Sequence, residues 1–145
     1  MPTILLVDND PEILAALSAA LEWRGYRVLL SKNGRTALEQ AGRNLPDLIV
    51  TDCSTPEMDG VELCRCLKLY PALTAIPVIM VSAQMQLRHK PALWNAFFLK
   101  PIDFNAMEST VALLLFSRPL RETLRPLWSE RAMSRWQPVT SAIIS

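Results

Sequence analysis

Short apolar runs alternate along the chain with longer stretches in which apolar positions recur every three or four residues. Thr3–Val7 is a continuous apolar run, the pattern of a strand buried on both faces. Asp10 and Pro11 then read as the N-cap and first residue of a helix carrying Ile13, Leu14, Leu17 and Leu21, which Gly25 stops. Residues 27–30 predict a second strand, 34–42 a second helix with Ala37, Leu38 and Ala41 inward, and 48–51 a third strand. A helix over 61–69, a fourth strand over 78–81 and a short fifth strand over Ala96–Leu99 follow. Pro91 interrupts the segment 84–95, which takes no clear element. A last helix is expected over 104–116, with Met107, Val111, Leu114 and Leu115 on one face. This alternation predicts an α/β fold of parallel βαβ units, with right-handed crossovers and helices on both faces of the sheet. Such sheets bind ligands beyond the carboxyl ends of their strands, where strand order reverses. Chemistry is therefore expected just after Val7, Thr51, Val81 and Leu99.

The composition supports one domain with an appendage. The chain has 145 residues, 50% hydrophobic and 20% charged, enough to bury a core. Its formal charge of +1 is not the basic surface on which nucleic-acid binding rests, so DNA binding is not expected. The start lacks a basic n-region and meets Asp8 early, which argues against a signal peptide. The longest uncharged stretch, 69–87, is interrupted by polar and proline residues including Pro77, Gln84 and Gln86 and falls short of the ~18–20 apolar residues of a membrane span. These features predict a cytoplasmic protein with no membrane contact. Cys53, Cys64 and Cys66 are odd in number and have no nearby His, which points to packed, reduced thiols and away from zinc. After residue 116 the character changes. Five arginines (118, 121, 125, 131, 135) against two glutamates (122, 130) give the tail +3 and leave −2 on residues 1–116. Leu120, Leu124, Leu127, Trp128 and Trp136 suit an amphipathic helix that Pro126 splits. The organisation expected is a domain over 1–116 and a helical or irregular extension over 117–145 that meets a partner or a second copy.

The four strand ends carry Asp8-Asn9-Asp10, Asp52, Ser82-Ala83 and Lys100-Pro101. Carboxylate oxygens suit Mg²⁺, while an ammonium and a hydroxyl neutralise and hydrogen-bond phosphoryl oxygens. Phosphoryl transfer needs mainly positioning and charge neutralisation, and this set supplies both.

In four blocks the sequence resembles the response-regulator receiver domains of two-component signalling. They are Leu5-Leu6-Val7-Asp8-Asn9-Asp10-Pro11-Glu12, then Asp47-Leu48-Ile49-Val50-Thr51-Asp52, then Pro56-Glu57-Met58-Asp59-Gly60. The fourth joins Pro77-Val78-Ile79-Met80-Val81-Ser82-Ala83 to Phe97-Phe98-Leu99-Lys100-Pro101. The likeness covers residues 1–116 and implies the CheY-like (flavodoxin-like) doubly wound five-stranded sheet of order 2-1-3-4-5. It implies Asp52 as phosphoacceptor for a sensor histidine kinase or phosphotransfer protein. Asp8, Asn9, Asp52 and the backbone carbonyl of Ser54 are implied to hold Mg²⁺. Lys100 and Ser82 are implied to bind the phosphoryl group, and Phe97 to follow Ser82 inward. Pro101 matches the family's cis-peptide position, and Gly60 is expected to permit the turn before the third helix. The output is implied to be a change in contacts with an unnamed downstream protein, with no catalysis beyond the domain's own phosphorylation and dephosphorylation.

Three features depart from the family. Asn9 stands where it usually has Asp, which removes one negative charge and predicts weaker Mg²⁺ binding. The segment between Ser82 and Lys100 is shorter than usual and contains Pro91, so a short or irregular fourth helix is expected. The tail is too short for a DNA-binding output domain. Two rival functions follow. One is a phosphorylation-independent, pseudo-receiver interaction or dimerisation module, motivated by Asn9 and the shortened segment. The other, more remote, is a haloacid-dehalogenase-type phosphatase, whose DxD signature Asp8-Asn9-Asp10 also fits. Glu12 replaces that class's Thr or Val, however, and Asp52, Pro56 and Gly60 have no role in it.

Overall fold

A computed structural model describes residues 1–84 and 93–124, with side chains to residue 117. The elements run β1 (Thr3–Val7), α1 (Pro11–Trp23), β2 (Arg27–Ser31), α2 (Gly34–Asn44), β3 (Leu48–Asp52), α3 (Gly60–Leu67), β4 (Val78–Ser82), β5 (Ala96–Leu99) and α4 (Phe104–Leu124). The strands form one parallel sheet in the order β2-β1-β3-β4-β5. β3 and β4 are buried throughout and β1 nearly so, as continuous apolar runs require, while the edge strands β2 and β5 are half-exposed. The chain divides into two compact units, Met1–Ala112 and Leu113–Ser145.

Alternation along the strands builds the core of the first unit. Leu5, Val7, Ile49, Val78 and Met80 share one cluster with Ala37 and Ala41 of α2 and Leu63, Cys64 and Leu67 of α3. The intervening residues Leu6, Val50 and Val81 face the other way, towards Leu14 and Leu17 of α1. Met107 and Val111 of α4 are fully buried, and Glu108 pairs with Arg24 just past the end of α1.

Each helix start has a local cause. Asp10, Asn33 and Asp59 cap α1, α2 and α3 by accepting from the N–H of Glu12, Thr36 and Glu62. Gly34 and Gly60 open α2 and α3 because no side chain fits there. A Cβ on Gly34 meets the carbonyl oxygen of Met58 at 2.0 Å, and one on Gly60 meets that of Asp52 at 2.7 Å. Gly60 therefore serves close approach of α3 to the end of β3. Its backbone is not left-handed, and its N–H donates to the Cys53 carbonyl at 2.8 Å across the turn before α3.

β2, β3 and β4 each run one residue past their expected ends, α3 spans Gly60–Leu67 where 61–69 was expected, and two helices run further than expected. α2 runs past Gly42 to Asn44 and is capped by Leu45 at φ 48°, a left-handed position more usual for glycine. α4 runs past residue 116 to Leu124, and its backbone stays helical across Pro119 at the loss of one i→i−4 bond. The irregular fourth helix expected around Pro91 falls mostly on residues 85–92, and Trp128 and Trp136 in the tail also lie outside the described residues. Among the described residues no helix is long and apolar enough to cross a membrane.

Candidate functional site

Four adjacent parallel strands end on one rim, and their next residues meet there. Asp8 follows β1, Asp52 closes β3, Ser82 closes β4 and Lys100 follows β5. Register does the gathering: Cys53 N–H donates to the Val81 carbonyl at 2.8 Å, and Lys100 N–H to the Ser82 carbonyl at 2.9 Å. Asp8, Asp52 and Ser82 are buried, with relative exposures of 5%, 7% and 2%. Lys100 Nζ reaches both carboxylates, at 3.2 Å from Asp52 Oδ1 and 3.5 Å from Asp8 Oδ2.

The floor beneath them is apolar. A small void below Asp8 and Asp52 is lined by Leu6, Leu14, Leu17, Val50, Val81 and Ile102. Burial against it raises the Asp52 carboxyl above the usual carboxylate range, and the charge of Asp8 adds to the effect. The hydrogen bond and charge of Lys100 and the Ser54 N–H oppose that rise without cancelling it. For Lys100, burial favours the neutral amine, but its bonds and charge attraction to Asp52 and Asp8 outweigh this and raise its pKa. The ammonium is thus held charged between two carboxylates.

The remaining sequence-derived positions are distributed around this pair. Asn9 is exposed. Asp10 is turned to α1, its Oδ1 accepting from Glu12 N–H at 2.9 Å while its own N–H donates to Asp8 Oδ1 at 2.9 Å. Ser82 Oγ accepts from Gln84 N–H at 2.9 Å. Phe97 is half-buried and packs on the α2–α3 side of the core, beside its strand partner Met80. The Lys100–Pro101 peptide is cis. Cys53, Cys64 and Cys66 are free thiols. Burial pushes the Cys64 thiol up to about 12, so it stays protonated and inert at neutral pH. Two participants carry no signal in the sequence. Gln84 enters through a backbone N–H available to any residue but proline, and Thr51 through its hydroxyl on the Asp52 carbonyl at 3.0 Å.

The donor set fits a hard divalent cation held by few protein ligands. Asp8 and Asp52 supply carboxylate oxygens, and Mg²⁺ commonly takes one or two carboxylates and keeps waters for the rest. Among the described residues no third acidic, His or Cys side chain joins them.

A parallel sheet of order 2-1-3-4-5, with two carboxylates, a hydroxyl and a lysine at its carboxyl edge, is a doubly wound α/β domain with its polar cluster at the strand ends. The model of the response regulator receiver domain matches residues 4–112, and the chain belongs to that family of two-component signalling. It is 34% identical to the receiver domain of a signal transduction histidine kinase from Syntrophus aciditrophicus, covering 81% of this chain and 92% of that one at a TM-score of 0.74. The receiver domain of sensor histidine kinase PA1611 from Pseudomonas aeruginosa has a TM-score of 0.73 and 27% identity over 80% of this chain and 98% of its own. In that structure a magnesium ion is coordinated in the active site cleft. The DNA-binding regulator RpaA of Synechocystis is 34% identical over 119 residues, 79% of this chain and 49% of RpaA. The chain thus spans about half of RpaA, and 28% of the transcriptional regulator ZraR of Klebsiella oxytoca.

Proposed function

We propose that this domain accepts a phosphoryl group on Asp52 and converts it into altered protein contacts. The observation that carries the reading is the Lys100 ammonium held between the buried carboxylates of Asp8 and Asp52, one strand from the buried Ser82 hydroxyl. An oxygen of Asp52 attacks phosphorus on the phosphohistidine of a sensor kinase or phosphotransfer protein. The new P–O bond forms as the P–N bond breaks, and the electron pair returns to the imidazole, which takes a proton from water. Lys100 neutralises charge developing on the phosphoryl oxygens. Ser82 Oγ accepts from Gln84 and so keeps its own proton to donate to one of them. Asp8, Asn9, Asp52 and the Ser54 carbonyl would hold Mg²⁺, which supplies further charge neutralisation when bound. Phe97 is the side chain assigned to follow Ser82.

An apolar groove of about 610 Å³, lined by Ile13, Ala16, Ala20, Pro101, Ile102 and Phe104, opens beside Lys100 and offers a partner's helix a seat near Asp52. Residues 1–116 are read as the receiver and 117–145 as an extension for a downstream protein or a second copy. The reading places the domain in the cytoplasm, with no DNA contact and no catalysis beyond its own phosphorylation cycle. Asn9 favours a second reading, a phosphorylation-independent interaction module. Fluorine NMR with beryllofluoride and Mg²⁺ separates the two. The first predicts bound fluoride signals that vanish in Asp52→Asn, and the second predicts none in either protein.

A further inference from the structure

The loop joining β3 to α3 folds back on itself directly beside the Asp52 carboxylate. Its backbone closes twice: Met58 N–H donates to the Pro56 carbonyl at 2.7 Å, and Gly60 N–H to the Cys53 carbonyl at 2.8 Å. The inner closure passes over Glu57, whose φ of 69° is left-handed and costly for a residue that carries a side chain. Glu57 is exposed, so packing of its own side chain does not hold the turn. Thr55 reaches the turn from inside. It is buried, with a relative exposure of 7%, and its hydroxyl donates to the Met58 carbonyl at 2.7 Å. The same carbonyl oxygen lies against Gly34 at the start of α2, where a Cβ would meet it at 2.0 Å. A strained turn persists only where its surroundings over-determine it, and here the hydroxyl and the glycine do so. At its other end the loop carries Ser54, whose N–H donates to the Asp52 carboxylate.

Resting on the proposed function, we infer that Thr55 is a positioning residue for phosphoryl transfer: its hydroxyl fixes the left-handed turn at Glu57, and through it the Ser54 N–H on the Asp52 carboxylate. Thr55 follows Ser54 directly, so a turn held in one shape sets where that N–H points. Ser54 N–H and Lys100 Nζ together then hold the carboxylate in one orientation for attack on phosphorus. Without the hydroxyl the strain at Glu57 relaxes, the loop takes other shapes, and the carboxylate loses the Ser54 donor for part of the time. Thr55 acts through the loop alone, its hydroxyl being committed to Met58.

The test is the initial rate of phosphorylation of the full chain by acetyl phosphate with Mg²⁺, read by intact-protein mass, with circular dichroism reporting the fold. The proteins are the native chain, Thr55→Ser, Thr55→Val, Glu57→Gly and the double variant that joins Thr55→Val to Glu57→Gly. Thr55→Val keeps the shape and removes the donor, and it is expected to slow the reaction about tenfold or more, since small misplacements of a reacting group cost that much. Thr55→Ser keeps the donor and is expected to keep the native rate. Glycine adopts a left-handed φ without steric cost, so in the Glu57→Gly background Thr55→Val is expected to cost little rate. A merely structural role would not give that rescue. An equal loss in both backgrounds, no loss in either, or loss of the fold in both valine proteins overturns this inference, while phosphorylation of the native chain leaves the receiver reading standing. A native chain that takes neither a phosphoryl group nor beryllofluoride overturns the two together.

Discussion

Asp52 is stabilised and destabilised by its neighbours at once, and the balance sets a pH dependence. Burial and Asp8 raise its pKa more than Lys100 and the Ser54 N–H lower it. A carboxyl raised on folding contributes stability that is fully present below its unfolded pKa of about 4 and lost as pH rises through the folded value. The raised Lys100 contributes at every pH below about 10, so it does not alter that window. Without Mg²⁺, Asp52→Asn is thus expected to melt higher than the native chain at pH 7, with the gap closing towards pH 4. A gap that is reversed, or constant with pH, contradicts the assignment. Gly60→Ala tests the close approach at the same strand end. Its methyl would meet the Asp52 carbonyl oxygen at 2.7 Å and Cys53 Cα at 3.0 Å, both backbone atoms with little room to move. A loss of about 2–3 kcal/mol in urea unfolding is expected, and an unchanged midpoint contradicts it. Asp8, Asp52, Ser82 and Lys100 were legible in the sequence because each ends a recognisable strand. The reason for Gly60 was not, because it depends on how near α3 comes to β3.

At the scale of elements, buried strands announced themselves and boundaries did not. β1, β3 and β4 are apolar runs covered on both faces, so their pattern stands out from the helices. Helix ends rest on finer balances. Gly42 looked like a stop for α2, yet the helix continues until Leu45 turns left-handed at φ 48°. Leu45 is mostly exposed, so its side chain offers little packing to offset the strain. Leu45→Gly is therefore expected to stabilise the fold by up to about 1 kcal/mol, the left-handed penalty less the added freedom of the unfolded chain. Chemical denaturation checks it, and a destabilised variant would mean that Leu45 packs more than its exposure indicates. The last helix was expected over 104–116, with a separate amphipathic segment beyond it, yet α4 continues to Leu124 across Pro119. One missing backbone bond did not end the helix.

For the molecule as a whole, the doubly wound topology gathers a scattered set of residues at one edge of the sheet. Residues 8, 52, 82 and 100 are far apart in sequence, and parallel register brings them to one edge. Strand order could not be read from periodicity; it came from the resemblance, and the observed β2-β1-β3-β4-β5 sheet agrees with it. The central claim is that this edge accepts a phosphoryl group on Asp52. Its most direct test is intact-protein mass after incubation with acetyl phosphate, with and without Mg²⁺, for the native chain and Asp52→Asn. The account predicts one added phosphoryl group on the native chain, dependent on Mg²⁺ and absent from the variant. An adduct that persists in Asp52→Asn, or none on the native chain when beryllofluoride also fails to bind, contradicts it.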